Sequence, residues 1–551
     1  DSNGAVILKN LHLGTYLIRE VQAPENFYNG GEEKEVTLSY AGQNVDVVFS
    51  ETTFTNDRQK AKVTVTKKDQ DTEHPLDGGI FGLYAADDIV NADGIVEEKK
   101  GTLIEKATTG NDGTATFLAD LPIGFSYDVK EEQAPSGYVR NTKDVFTFDF
   151  VYTNDREAVV SFSHTFVNER VKAKISLQKK DKETNTNQPQ GDATLEIALY
   201  GLHAREDIVH PDGTTGVIYP AGEQVATLTT DEKGMASVED LYLGKYFVKE
   251  ITPPVGYLAD ETEHDLVCSY EGDLVAIVKR DCVSLEQVKK QPFQIIKAAN
   301  NGNTDAELLE GAGFTAYLES SLKKKADGTY DFDSAKPVVI GENGATEMFT
   351  DKKGYACSIP LPYGTYIVRE TTTPHNYKPV DDFIVRITEH KPNTPQVWRV
   401  LLDKEFEAKL KIIKQDDETK KPVLKKDTEF KVYDLDKKKY VEQVTTYPTT
   451  VVHKSYFTDE QGYLILPQNL KIGHYRIEEV DAPFGYTLNE NYYEVKVDSN
   501  TAYQMDSVSG DVIIEVVYEN HPVKGQLKIV KKGEVLSGFD KDFSYQMENL
   551  S

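Results

Sequence analysis

Cysteine is nearly absent from this chain: Cys268, Cys282 and Cys357 are the only three in 551 residues. Three thiols cannot staple so long a chain into a disulfide framework, and their spacing matches no metal-ligand pattern, so they read as ordinary strand residues. Tryptophan is scarcer still, with Trp398 alone, and no aromatic sugar-binding platform is evident. Apolar runs of the ~20 residues that span a bilayer are missing, and no signal peptide or anchor is in view, which in a fragment says little about its location. No long segment shows the helical apolar period. Positive charge is in short supply, 62 Lys and Arg against 91 Asp and Glu for a net charge of −29; this disfavours nucleic acid and anionic membrane as partners and favours a solvated, non-aggregating surface. The eleven histidines lack metal-ligand spacing, and neither a Gly-rich phosphate loop nor a nucleophile elbow occurs. No metal and no cofactor are expected. The acidic loops Asp87 to Gly94 ("DDIVNADG") and Glu206 to Gly213 ("EDIVHPDG") offer oxygen ligands for calcium but lack the ligand order of an EF-hand, and read first as solvated turns.

What the chain does have is tyrosine, 31 of them, with many Val, Ile and Thr and Gly- or Asp-rich turns every ten residues or so, the composition of short β-strands. It also repeats itself. "YLIREVQAPENFY" from Tyr16 returns as "YDVKEEQAPSGY" from Tyr127, "YFVKEITPPVGY" from Tyr246, "YIVRETTTPHNY" from Tyr366 and "YRIEEVDAPFGY" from Tyr475. Copies about 110 to 120 residues apart imply a string of domains of ordinary size. The expected boundaries are 58–169, 170–288, 289–404 and 405–521 for four whole repeats, with partial ones at 1–57 and 522–551. The array thus reads as a fragment that opens within one repeat and closes within another, each carrying a hairpin signal such as "DSNG", "GNDG", "TDEKG", "TDKKG" or "TDEQG".

Strand alternation puts every second side chain on one face. In the repeated stretch Glu20, Glu131, Glu250, Glu370 and Glu479 fall in phase with an aromatic and a β-branched residue, so all five are expected to point inward, where an ionised carboxylate is costly without a partner. The start of each repeat holds the matching oddity. "VTVTKKD", "ISLQKKD", "FQIIKAA", "LKIIKQD" and "LKIVKKG" end an alternating strand on Lys67, Lys179, Lys297, Lys414 and Lys531 in the apolar phase. At the end of each repeat Asn56, Asn168, Asp403 and Asn520 stand in phase with apolar residues, each eleven positions before the next lysine. For the repeat that begins with Lys179 the same offset lands on Glu286.

These three elements resemble the B-type repeats of collagen adhesins, the SpaA-like, prealbumin-type domains of Gram-positive pilins and surface proteins. The resemblance implies an all-β tandem array of prealbumin-like (Ig-like) sandwiches of seven strands in two sheets, with an intramolecular isopeptide bond between the first and last strands. The chemistry follows from the residues as well. Burial drives a lysine toward its neutral, nucleophilic amine and a glutamate toward its protonated form. The amine attacks the Asn side-chain carbonyl carbon, while the acid hydrogen-bonds the carbonyl oxygen and passes a proton to departing ammonia, or to water where the acceptor is Asp403. Proximity within a fold is worth roughly 7–11 kcal/mol in well-oriented intramolecular reactions, so one turnover without a cofactor suffices and no enzyme activity is implied.

The expected cross-links are Lys67–Asn168 with Glu131, Lys297–Asp403 with Glu370 and Lys414–Asn520 with Glu479. Asn56 with Glu20, and Lys531, would have partners outside the fragment. Lys179 and Glu286 are expected to stay unbonded beside Glu250, because the extra methylene would displace the carboxyl from where Asn or Asp presents it. For any single repeat, an ordinary Lys–Glu ion pair and a turn Asn are the competing reading; recurrence in phase is what favours the cross-link. The function implied is a stalk or fibre segment of an extracellular, cell-wall-attached protein of a Gram-positive bacterium, meeting host or neighbouring-cell ligands through regions outside the fragment. A sortase-assembled pilus shaft, and a module that itself binds matrix protein or glycan, are the alternatives.

Overall fold

The computed structural model describes residues 4–300 and 306–530; Lys531 lies outside the described residues. The chain divides into two compact units, the first formed mainly by residues 1–290 and the second mainly by the remainder. The first unit holds the partial repeat and two whole repeats, and the second holds two more.

In the first whole repeat seven strands make two sheets. Lys60–Asp69 lies between Thr114–Phe117 and Val159–Asn168, and the facing sheet runs Val145–Phe150, Phe125–Gln133, Ile80–Ala85, Leu103–Thr108. The inward phase of both sheets supplies one core, including Val63, Val65, Phe81, Leu83, Tyr127, Val129, Phe150 and Phe166, as expected when alternating strands bury one face. The second whole repeat reproduces this order around Ile175, Leu177, Leu202, Tyr246 and Val248. In the second unit the Lys297 and Lys414 repeats are each again built on two sheets; Tyr377–Lys378 is added to the lysine sheet of the former, and Leu470–Lys471 and Gln504–Met505 to that of the latter, whose facing sheet also gains Tyr456–Phe457.

The first and last strands of every whole repeat are adjacent and parallel, in one register. Lys67 lies opposite Phe166 and Asp69 opposite Asn168; Lys179 lies opposite Ser284 and Asp181 opposite Glu286. In the second unit Lys297 pairs with Leu401 and Ala299 with Asp403, while Lys414 pairs with Tyr518 and Asp416 with Asn520. Each acceptor therefore lies diagonally across from its lysine, two residues further along the neighbouring strand and on the same face, within reach of a long side chain.

The hairpin glycines fix the lysine backbone. The carbonyls of Gly113, Gly234, Gly354 and Gly462 accept the amide N–H of Lys67, Lys179, Lys297 and Lys414 at 2.7–2.9 Å. All four glycines have φ between 64° and 78°, the left-handed region that glycine occupies without strain. A Cβ on Gly113 would stand 2.6 Å from the Lys67 carbonyl oxygen and one on Gly354 2.3 Å from that of Lys297. The recurrent "GNDG" and "TDEKG" signals are thus the clamps that set the lysine's height in the strand.

Candidate cross-linking sites

Each lysine enters the core from the first strand, and each glutamate comes from the facing sheet. Glu131, Glu250, Glu370 and Glu479 lie opposite Phe81, Tyr200, Phe314 and Phe430 in the neighbouring strand, and in all four pairs a register shift follows the glutamate directly. A bulge there bends the strand and re-aims the side chain. Ten residues after the glutamate, a backbone N–H closes on its second oxygen: Asn141 on Glu131 and Asp260 on Glu250 at 2.8 Å, Val380 on Glu370 and Asn489 on Glu479 at 2.9 Å. At Glu131, Glu250 and Glu479 one oxygen is thereby held and the other is left for the lysine, whereas at Glu370 the Val380 N–H and Lys297 Nζ share Oε2.

In the first whole repeat the site is a closed triangle. Lys67 and Asn168 are buried; Glu131 Oε1 lies 2.9 Å from Lys67 Nζ and accepts from Asn168 Nδ2 at 2.8 Å, while Lys67 Nζ donates to Asn168 Oδ1. The glutamate thus faces the nitrogen that would leave as ammonia. The contact with the carbonyl oxygen expected from sequence is made by the lysine instead. In the last whole repeat Lys414 Nζ donates to Glu479 Oε1 at 2.6 Å, and Asn520 Nδ2 donates to Glu479 Oε2 at 2.7 Å and to the Thr487 carbonyl at 2.8 Å. Burial pulls Lys67 and Lys414 below the ordinary lysine range, with their glutamates pulling the other way. Phe81 and Phe430 flank these amines at 5.7 and 5.4 Å, excluding water from the nucleophile.

The Lys297 site carries an acid as acceptor. Lys297 Nζ donates to Glu370 Oε2 at 2.6 Å and makes an ion-pair contact with Asp403. Apart from that lysine, neither Asp403 oxygen has a hydrogen-bond donor, and burial pushes this carboxyl up to about 6 against the pull of Lys297. Its neutral, electrophilic form is therefore accessible near neutrality.

At Lys179 the sequence expectation about geometry is overturned. The shared register brings Glu286 Oε1 into contact with Lys179 Nζ, because a glutamate two positions along a parallel neighbour still reaches across the diagonal. The extra methylene does not take the carboxyl out of range. Glu250 also receives Lys179 Nζ, at 2.8 Å. Two hydroxyls that sequence reading passed over complete the cluster: Tyr200 Oη lies 2.7 Å from Glu286 Oε1, 2.9 Å from Lys179 Nζ and 3.0 Å from Ser284 Oγ. In the partial repeat Asn56 Nδ2 donates to Glu20 Oε1 at 2.8 Å, with both residues half-buried.

A second recurrent pair also escaped the sequence reading. The tyrosine that ends the repeated stretch donates to an aspartate two residues after the lysine: Tyr138 to Asp69 at 2.6 Å, Tyr257 to Asp181 at 2.9 Å and Tyr486 to Asp416 at 3.0 Å. The signal was present, since "KKD", "KKD" and "KQD" share that Asp while "KAA" does not. Tyr377 accordingly turns to Glu307, at 3.2 Å. The acidic loops are short hairpins, and in the second of them Asp212 accepts from the Thr214 and Thr215 N–H groups.

With these sites in view, comparison with known proteins gives a direct result. The profile of the SpaA domain, a prealbumin-like fold domain, matches residues 61–164, 173–281, 292–398 and 408–510. The chain belongs to this family. No curated protein matches it. Among solved structures, the Bacillus anthracis TIE protein is 20% identical, with 83% of this chain and 73% of that one covered and a TM-score of 0.31. A streptococcal ancillary pilin is 16% identical, covering 64% and 99%, with a TM-score of 0.23. The shaft pilin SpaA of Lactobacillus rhamnosus GG is 17% identical, covering 44% and 100%, with a TM-score of 0.18. Among the described residues no helix is long and apolar enough to cross a membrane.

Proposed function

We propose that these SpaA domains form a tension-bearing stalk of a Gram-positive cell-surface protein, closed by autocatalytic Lys–Asn and Lys–Asp isopeptide bonds. One observation carries this reading: in each whole repeat the terminal strands lie side by side and parallel with a buried lysine diagonal to its acceptor. The chain then enters one end of the domain and leaves from the other, and a bond at that diagonal joins the entering strand directly to the leaving one.

Each step has a named group. Proton transfer from Lys67 to Glu131, 2.9 Å apart, yields amine and acid, the two neutral forms that burial favours. Nζ attacks Cγ of Asn168. Glu131 gives its proton to Nδ2, already 2.8 Å away, and takes up the proton that Nζ sheds; the Cγ–Nδ2 bond breaks, ammonia leaves and the amide remains. Lys414, Glu479 and Asn520 repeat the sequence. Lys297 and Asp403 condense with loss of water, and Glu370 moves the proton. The reaction happens once per domain and catalyses nothing further. The stalk reading places ligand recognition in other parts of the protein, so immobilised repeats should show no saturable binding to matrix proteins or glycans.

The test is the intact mass of the full chain with mapping of its cross-linked peptides. Two ammonia and one water should be missing, at Lys67–Asn168, Lys414–Asn520 and Lys297–Asp403. Glu131→Ala should restore one ammonia, and a wild-type chain at full sequence mass would sink the reading.

A further inference from the structure

The second whole repeat has the lysine, the glutamate, the register and an acceptor carboxyl in contact with the amine, and differs in what surrounds that carboxyl. Tyr200 occupies the position opposite the glutamate that Phe81, Phe314 and Phe430 hold in the other repeats. Ser284 occupies the position opposite the lysine, elsewhere Phe166, Leu401 and Tyr518. Tyr200, Ser284, Glu286 and Lys179 are all buried.

A tyrosine has one proton to give. Of its two acceptors, Glu286 Oε1 at 2.7 Å and Ser284 Oγ at 3.0 Å, the carboxylate is the nearer and the charged one, and charge-assisted hydrogen bonds are the stronger. Ser284 is then free to donate its own proton to the tyrosine oxygen, so that serine, tyrosine and carboxylate form a chain whose members polarise one another. Hydrogen bonds to a carboxylate favour its ionised form, and an ionised carboxylate has no leaving group for an amine to displace. We propose that Tyr200 is the residue that prevents condensation here: its hydroxyl holds Glu286 as a carboxylate against a protonated Lys179 and leaves this repeat closed by a reversible ion cluster. This rests on the cross-linking reading above and extends it to what decides which repeats react.

The groups facing the cluster are consistent with that state. Glu250 meets Lys179 from the facing sheet with its other oxygen held by the Asp260 N–H, and Asp260 and Cys282 are the next titratable neighbours of Tyr200. Burial lowers Lys179 to about 8 and lowers Lys67 and Lys414 as well, so the surroundings of the carboxyl, not the amine, set this repeat apart. Asp403 is the counter-case, a buried acid that meets no hydroxyl and no donor other than Lys297.

Tyr200→Phe in the full chain tests this by peptide mapping. The wild type should release Lys179 and Glu286 on separate peptides. The variant should join them, one water lighter, as Nζ bonds to Cδ and the acid oxygen leaves with two protons; adding Glu250→Ala should separate them again. Glu286→Asn in the Tyr200 background supplies a second arm, since an amide cannot be held ionised: it should cross-link with loss of ammonia. A Lys179–Glu286 bond in the wild type would overturn the proposal, and so would a folded Tyr200→Phe chain with the peptides unjoined or a Glu286→Asn chain that stays open. The Lys67 and Lys414 peptides in the same digest report separately on the cross-linking reading, which fails only if they too are unjoined.

Discussion

The first and second whole repeats are built on one plan and differ at three buried positions around the lysine: Phe81, Phe166 and Asn168 in one, Tyr200, Ser284 and Glu286 in the other. In the first the lysine is boxed by hydrocarbon, and its only polar contacts are the two groups it would react with. In the second, two hydroxyls have replaced aromatic carbon, and every polar atom except Glu286 Oε2 has a partner. On the proposal above, juxtaposition alone does not define a reactive site. A carboxyl stripped of hydrogen bonds can be driven neutral by burial, whereas one supplied with donors is stabilised as it stands.

The sharpest way to break this comparison is force. Pulled end to end, the second whole repeat should extend by about 3.3–3.6 Å for each residue between Lys179 and Glu286, and the other three should stay folded at that force. A trace with no such step, or with four, contradicts the assignment.

Thermal melting should show the next largest effect. A bond from Lys67 to Asn168 closes a loop of about a hundred residues, for which chain entropy gives roughly 4.7 kcal/mol. Asn168→Ala should therefore lower the melting temperature of the first whole repeat strongly, while Glu286→Ala should raise no question of a lost covalent loop. Equal melting of wild type and Asn168→Ala would remove the staple from the account.

A smaller effect is expected at the tyrosine latches. Tyr138→Phe removes a bond to the Asp69 carboxylate and should cost about 1.5–3 kcal/mol, the range for hydrogen bonds to charged groups. Tyr377→Phe, which loses only the longer contact to Glu307, should cost less. Comparable losses in denaturant melts would show that the aspartate two residues after the lysine does not matter.

The smallest effect is a pH dependence. In an unreacted chain such as Glu370→Gln, Asp403 should keep its raised pKa, because burial is the first cause of the shift to about 6. The folded state then binds its proton more tightly than the unfolded state, so stability should fall as pH rises from the ordinary aspartate range through about 6. The wild type, if that carboxyl is consumed in the proposed amide, should lack this slope.

Much of the design was legible because strands encode burial as parity. Lys67, Lys414, Glu131 and Glu479 announced themselves by falling in the apolar phase, and the constant eleven-residue spacing tied each acceptor to the next lysine. The seven-stranded plan followed from the resemblance. Less visible was whatever depends on a neighbouring strand. Tyr200 reads as one more aromatic in a tyrosine-rich chain until the sheet sets it beside Glu286, and a backbone N–H that grips a glutamate ten residues back leaves no mark in side-chain pattern. The reach of Glu286 is hidden for the same reason: its extra methylene reads as a displacement of the carboxyl, whereas the diagonal across a parallel pair decides what it meets.

The parallel seating of first and last strands also bears on survival among proteases. Once Lys67 and Asn168 are joined, everything between them is a covalent ring, and a single cut in an exposed loop opens the ring without parting the chain. Between ringed repeats, only short stretches outside the rings, such as Asn56 to Lys67, offer a severing cut. If, as proposed, no ring closes in the second whole repeat, one nick anywhere between Lys179 and Glu286, once the halves come apart, would release everything beyond it.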